Sequence, residues 1–185
     1  MTRKVVASTY ITLDGYIDEP GVWSFPFWSE EAMQFKAKEL RESDAQLLGR
    51  LTYEGFAAAW PTMEGTGEFG EKMNSMRKYV ASRTLETATW NATIIKGDVA
   101  DKVRELKQED GGDLLIGGSG QLIDYLTKHE LIDEYRPMIV PIVLGNGTKR
   151  LFNGVPQRTF TLVDTLAFPT GVVVNTYHPA AAPAA

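Results

Sequence analysis

The chain has 185 residues, 43% hydrophobic and 23% charged, with a formal net charge of −5, which is ordinary globular usage for one domain and argues against disorder, coiled coil and collagen-like repeats. No cysteine is present, so disulfides, zinc ribbons, iron–sulfur centres and thiol nucleophiles are excluded; two histidines cannot make an H-E-x-x-H site, and no metal site is expected. The acidic balance argues against nucleic acid as a partner, no apolar run reaches the roughly 18 residues of a membrane span, and Met1–Tyr10 lacks a signal peptide's apolar stretch, so a cytoplasmic protein without membrane contact is expected.

Short apolar runs alternate with helical patterns along the chain, which predicts an α/β fold around a mainly parallel sheet. The β-branched run Lys4–Tyr10 is a strand that ends near the Asp14-Gly15 turn signal. Ser29 is a plausible N-cap for a helix running to about Glu42, with Glu30 and Glu31 favourable at the positive end of its dipole. On that helix Met33, Ala37 and Leu40 form a stripe suited to the core, which leaves Glu31 and Phe35 sharing another face. Gln46-Leu47-Leu48 reads as a buried strand stopping at Gly49-Arg50, and a short helix begins at Thr52-Tyr53-Glu54. Pro61 to Glu71, rich in Gly and Glu, reads as a surface loop. Lys78–Ser82 and Thr93–Lys96 are strands, the second followed by a helix with Val99, Val103 and Leu106 on one stripe that ends at Gly111-Gly112. Leu114-Leu115-Ile116 is a further strand, leading through Gly117-Gly118-Ser119-Gly120 into a helix with Leu122, Ile123 and Leu126 inward. Met138 to Leu144 contains Pro141 and suits a bulge or an edge. Thr159–Leu166 and Gly171–Tyr177 make a closing antiparallel hairpin, and residues 179–185 form a disordered tail behind a single domain of residues 1–178.

Three junctions suit phosphate. The glycines before the helix at Gly120 let backbone N–H groups approach an anion at the positive end of a dipole, although a tight turn without ligand explains the same spacing. Leu48–Glu54 places Arg50 and Thr52 at a helix start, and Ser82-Arg83 follows a strand's carboxyl end, where α/β sheets bind ligands. Gly118-Ser119-Gly120 lacks the third glycine of a Rossmann fingerprint, and the same turn falls one glycine short of a serine-hydrolase elbow.

Five pieces in this order carry a resemblance: Leu13–Ile17, Gly49–Glu54, Val80–Leu85, Ile116–Gly120 and Pro141–Gly147 before Leu151-Phe152. The chain resembles the dihydrofolate reductase-like superfamily, and within it the reductase domain of riboflavin biosynthesis, the RibD C-terminal domain, more than a true dihydrofolate reductase. The resemblance implies a three-layer α/β/α fold with a mixed, mostly parallel sheet, and an NADPH-dependent reductase. Its hydride would pass to a small heterocycle such as the ribosylamino-pyrimidine of that pathway. It implies that Gly49, Arg50 and Thr52 hold the adenosine-side phosphates, and that Ser82 and Arg83 lie near the 2′-phosphate. By the same resemblance Ala7, Gly117, Gly118, Ser119, Gly120, Gln121 and Leu122 would complete the cofactor site. Two acids compete as proton donor. Glu31 precedes a Phe35-Lys36 pair at the family's spacing, and Asp14 lies in a segment that resembles the loop flanking nicotinamide in this family; dipole stabilisation and ordinary turn chemistry are their respective alternatives. Tyr16, Trp23, Phe27, Trp28 and Phe35 would wall the substrate, or cover the core. Folate reduction and a nucleotide-binding module without turnover are the alternative functions, and a homodimer is expected, as in many relatives.

Overall fold

The computed structural model describes residues 3–180. Within them eight strands, β1 (Val5–Thr12), β2 (Ser43–Gly49), β3 (Arg77–Ala81), β4 (Ala92–Ile95), β5 (Asp113–Gly118), β6 (Glu134–Val140), β7 (Phe160–Ala167) and β8 (Val173–Pro179), form one sheet. Their order is β4-β3-β2-β5-β1-β6-β8-β7. Neighbours from β4 to β6 are parallel, and β8 runs antiparallel to both β6 and β7. The helices are α1 (Pro20–Trp23), α2 (Glu30–Glu42), α3 (Arg50–Ala59), α4 (Gly67–Ser75), α5 (Val99–Gln108) and α6 (Gly120–Lys128).

Three layers follow from the direction of the crossovers. Parallel connections are right-handed, so chain moving toward β4 and chain moving toward β6 must cross opposite faces of the sheet. Val5, Ala7, Leu114 and Ile116 accordingly pack on Val103 and Leu106 of α5 and on Ile123 and Leu126 of α6. Their alternating neighbours Val6 and Leu115 pack on Leu40 of α2 and Met73 of α4. Leu48 and Val80 meet Tyr53 of α3 on that same face. Strand order reverses between β5 and β1, because the chain leaves one toward β6 and the other toward β2. A ligand crevice is expected outside the carboxyl ends of these two strands.

Several elements depart from the sequence reading. The stretch from Pro61 to Glu71 is no simple loop: α4 begins at Gly67, and its Phe69 ring lies 5.5 Å from Trp60. Glycines in its first half hide the helix, but burial of Phe69 and Met73 against Trp60 and Leu40 outweighs their poor propensity. The helix before Tyr53 starts at Arg50, two residues earlier than expected. β6 is an interior strand rather than an edge, and it ends before Pro141. It contains Pro137 instead, whose missing N–H falls where the β6–β8 ladder is interrupted, between the Tyr135–Tyr177 and Met138–Val174 pairs. On α2 the expected core stripe is displaced: Met33 is exposed, while Ala32, Glu39 and Leu40 are buried and Phe35 packs on Phe168. The hairpin reaches further than expected, since Pro179 ends β8 and the Ala180 N–H donates to the Thr159 carbonyl at 3.0 Å. The tail expected at 179–185 otherwise falls on residues 181–185, outside the described residues.

Candidate active site

The crevice opens where two strands part. β1 pairs with β5 only from Val5 to Ala7, yet with β6 from Val6 to Thr12. Beyond the Ala7–Ile116 pair, Ser8 to Thr12 therefore face the space that β5 has left. β5 turns toward β2, where Leu48 pairs with Gly118.

The glycines at this end are there because backbones touch. A Cβ on Gly49 would stand 2.9 Å from the Ser119 Cβ and 3.3 Å from the Ser119 nitrogen, and one on Gly118 would stand 3.1 Å from the Thr52 hydroxyl. Gly49, Thr52, Gly118 and Ser119 thus form one corner between the starts of α3 and α6. Gly118 has φ 152°, a region glycine adopts far more readily than other residues. The Ser119 hydroxyl oxygen caps α6 by accepting the Leu122 N–H, which leaves its own proton free to donate. Ser82 follows β3 at the same end, where Ala81 pairs with Gly49, and its oxygen accepts the Thr84 and Leu85 N–H groups. Arg83 beside it is exposed. Arg50 is spent in an exposed pair with Glu54 at 3.0 Å, one helical turn on. Gln121 is exposed and Leu122 buried in the first turn of α6. Ala7 is buried at the point where the strands part.

The other wall is made by loops tied together through two aspartates. Asp14 accepts the Thr12 hydroxyl at 2.6 Å and the Gly145 N–H at 2.8 Å, and these donors hold its carboxyl below the usual range. Asp18 accepts from the backbone of Thr148 and Lys149 in the same way. Arg150 lies over the Tyr16 ring, 4.3 Å from its centroid. Trp23 is buried in the core with Met138 and Val174 and donates its indole N–H to the Asp18 carbonyl at 2.5 Å. Phe27 and Phe35 border that same core. Glu31 is exposed in the first turn of α2, where its own backbone N–H and then the Ser29 hydroxyl keep its carboxyl low. Both acids singled out from sequence are thus held as carboxylates rather than as proton-bearing acids.

Residues 3–174 match the RibD C-terminal domain. The chain belongs to the RibD C-terminal domain family. It is 32% identical over 182 residues to the uncharacterized protein YyaP of Bacillus subtilis, covering 95% of each chain. Among solved structures, a putative riboflavin biosynthesis protein from Shewanella sp. PV-4 superposes with a TM-score of 0.77 at 21% identity, over 98% of this chain and 100% of that one. Dihydrofolate reductase from Enterococcus faecalis, complexed with NADP(H) and RAB-propyl, superposes with a TM-score of 0.66 at 16% identity, over 97% of this chain and 99% of that one. The expected three-layer fold of this superfamily is thereby shown.

In this RibD C-terminal domain the α2 side of the crevice holds a charged cluster that no sequence motif marks. Lys36 donates to the Ser8 hydroxyl at 3.0 Å and to Glu39 at 2.6 Å, and Ser8 donates to the same Glu39 oxygen at 2.9 Å. The other Glu39 oxygen accepts Arg136 at 3.0 Å, and Arg136 in turn binds Glu134. Glu39 is 2% exposed, so its charge is tolerable only because two cations flank it. The signal was present: Lys36 and Glu39 lie at i,i+3, and Glu134 and Arg136 interrupt an apolar strand. Above this cluster the Tyr10 and Trp28 rings stack, with centroids 6.1 Å apart and 24° between planes. The serine-hydrolase reading has no geometry behind it. His178 binds Glu134 at the start of β6, the opposite end of the sheet from Ser119, and His129 packs on Tyr125 at the end of α6.

Proposed function

We propose that the protein is an NADPH-dependent reductase that delivers hydride to a small heterocyclic substrate in the cytoplasm. The observation that carries this reading is the corner in which Gly49 meets Ser119 and Thr52 meets Gly118, at the carboxyl ends of the parallel strands and beside the parting of β1 and β5. The residues there suit a dinucleotide. Backbone N–H groups at the starts of α3 and α6 and the free protons of Ser82 and Ser119 are donors for phosphate oxygens, and Arg50 and Arg83 supply charge. Arg50 must exchange Glu54 for a phosphate, which costs little because exposed pairs contribute about 0.2–1 kcal/mol. An arginine rather than an acid follows Ser82 at the end of β3, which favours the 2′-phosphate of NADPH over the free hydroxyl of NADH.

When bound, NADPH supplies the hydride. The chain's own part is to hold the acceptor ring in the gap beside Ser8 to Thr12, under Tyr10 and Trp28, and to keep water from the reacting carbon. A second copy of the chain pairing along the exposed β7 completes the proposal, with Leu162, Val163 and Leu166 standing out of that strand.

Fluorescence titration with both dinucleotides tests the reading. NADPH is expected to bind at least tenfold more tightly than NADH, and Arg83→Ala to remove most of that difference. Equal affinities, or binding of neither, overturn it.

A further inference from the structure

Arg50 opens α3 at a place where a cation is unfavourable. It is the first residue of the helix, at the positive end of the dipole, and Gly49 before it has no side chain to cap the free N–H groups. Of α2 to α6, α3 alone begins with neither a side-chain cap bond nor an acid in its first turn. Positive charge is therefore concentrated beside the Gly49–Ser119 corner, with no opposite charge in that turn.

The opposite charge comes from one turn further along. Arg50 Nη1 donates to Glu54 Oε1 at 3.1 Å and to Glu54 Oε2 at 3.0 Å. Both side chains are 42% exposed, so the pair can open without stranding a buried charge. Its order along the helix, cation before anion, is the less stabilising of the two arrangements at this spacing, which makes helix support a poor reason for it. The pair turns the guanidinium along the flank of α3, toward the second turn rather than the helix start. Arg83, the other arginine of the proposed cofactor site, is exposed and has no carboxylate partner among the described residues. Two arginines offered to one ligand thus stand in different states: one is free, and one already holds an anion.

The geometry points to Glu54 as a built-in competitor for the cofactor's phosphate. Its carboxylate occupies Arg50 while the seat is empty, yields it to a phosphate, and then stands beside that phosphate as a like charge that favours release. This rests on the proposed cofactor site for the identity and place of the ligand, and goes beyond it by giving an acid of the chain a part in how tightly that ligand is held. A carboxylate that served only the helix or solubility would have no such effect.

Equilibrium titration with NADPH, followed by the fluorescence of the reduced nicotinamide, tests this. Glu54→Gln keeps the shape and loses the charge, and it is expected to bind NADPH about three- to fivefold more tightly than wild type in dilute buffer. The gain should shrink to below about twofold at roughly 0.5 M salt, where exposed charges are screened. Most of it should vanish in an Arg50→Ala background and persist in an Arg83→Ala background. Glu42→Gln removes a similarly exposed charge from the Lys38 pair at the far end of α2, and it should leave the affinity unchanged. Unchanged or weaker binding in Glu54→Gln, an equal gain in both arginine backgrounds, or an equal gain in Glu42→Gln overturns the proposal and leaves the cofactor reading in place. NADPH that binds none of these proteins overturns both.

Discussion

Gly49 and Glu39 show how one side chain, absent or present, sets the geometry of this crevice. Any Cβ at position 49 must push Ser119 away, and the nearest atoms include the Ser119 backbone nitrogen. Gly49→Ala is therefore expected to lower stability by about 1–3 kcal/mol through overpacking and to weaken NADPH binding at least tenfold. Paired denaturant and NADPH titrations check both effects. Glu39 lies between Lys36 and Arg136 in a site from which water is nearly excluded. Its removal leaves two cations facing each other without their shared anion. Glu39→Ala should cost roughly 3–5 kcal/mol, read as a shift of the urea midpoint, and Glu39→Leu should not restore the loss, because the unpaired cations remain.

Elements here are held at their ends as much as along their faces. The Ser29 hydroxyl accepts the Ala32 N–H at 3.2 Å, so Ser29→Ala should destabilise the protein by about 1 kcal/mol. Because Ser29 also helps keep the Glu31 carboxyl low, nuclear magnetic resonance titration should show the Glu31 carboxyl rising in that variant. The far end of α4 is closed by a buried lysine. Lys78 donates to the Met73 and Asn74 carbonyls at 2.5 and 3.1 Å and lies 3.8 Å from the Trp90 centroid, and burial pushes its ammonium down from 10.5 to about 8. Between about pH 8 and 10.5 the unfolded chain keeps this proton while the folded one has released it. This group's contribution to stability therefore rises with pH across that window. The stability of wild type relative to Lys78→Met should increase from pH 8 to 10, as measured by urea unfolding at each pH; a flat difference would contradict the burial of that charge.

At the scale of the molecule, the two ends of the sheet are treated differently. β4 is short at one edge, whereas β7 at the other leaves Leu162, Val163 and Leu166 exposed. A bulge between Leu162 and Asp164 bends that strand, and such irregularity blunts indiscriminate pairing while leaving a face for one defined partner. Leu166→Lys is expected to convert a dimer to a monomer in analytical ultracentrifugation, with the thermal midpoint of the monomer lowered by only a few degrees. A wild-type protein that sediments as a monomer at micromolar concentration removes the dimer from the proposal.

How much of this was legible in the chain depends on the range of the interaction concerned. Short apolar runs, the Ser29 cap and the Gly-rich turns are local signals, and they placed β1, α2, β2, β5 and α6 close to where they lie. The α4 helix was hidden because its stability comes from Trp60 and Leu40, outside its own sequence. Pro141 misled because proline reports a missing N–H but not which neighbour lacks it; Pro137, inside β6, meets a gap in the ladder instead. The junctions at Gly49 and Gly118 were visible as separate pieces, but the meeting of Gly49 with Ser119 and of Gly118 with Thr52 was not. The sequence by itself determined the α/β class and the mainly parallel sheet, because alternation of short apolar runs with helical periodicity is a local property of the chain. Only the tertiary structure decided which polar groups share the crevice, because Lys36, Ser8, Glu39 and Arg136 come from three elements and the energy of a buried charge depends on partners that the chain brings together only on folding.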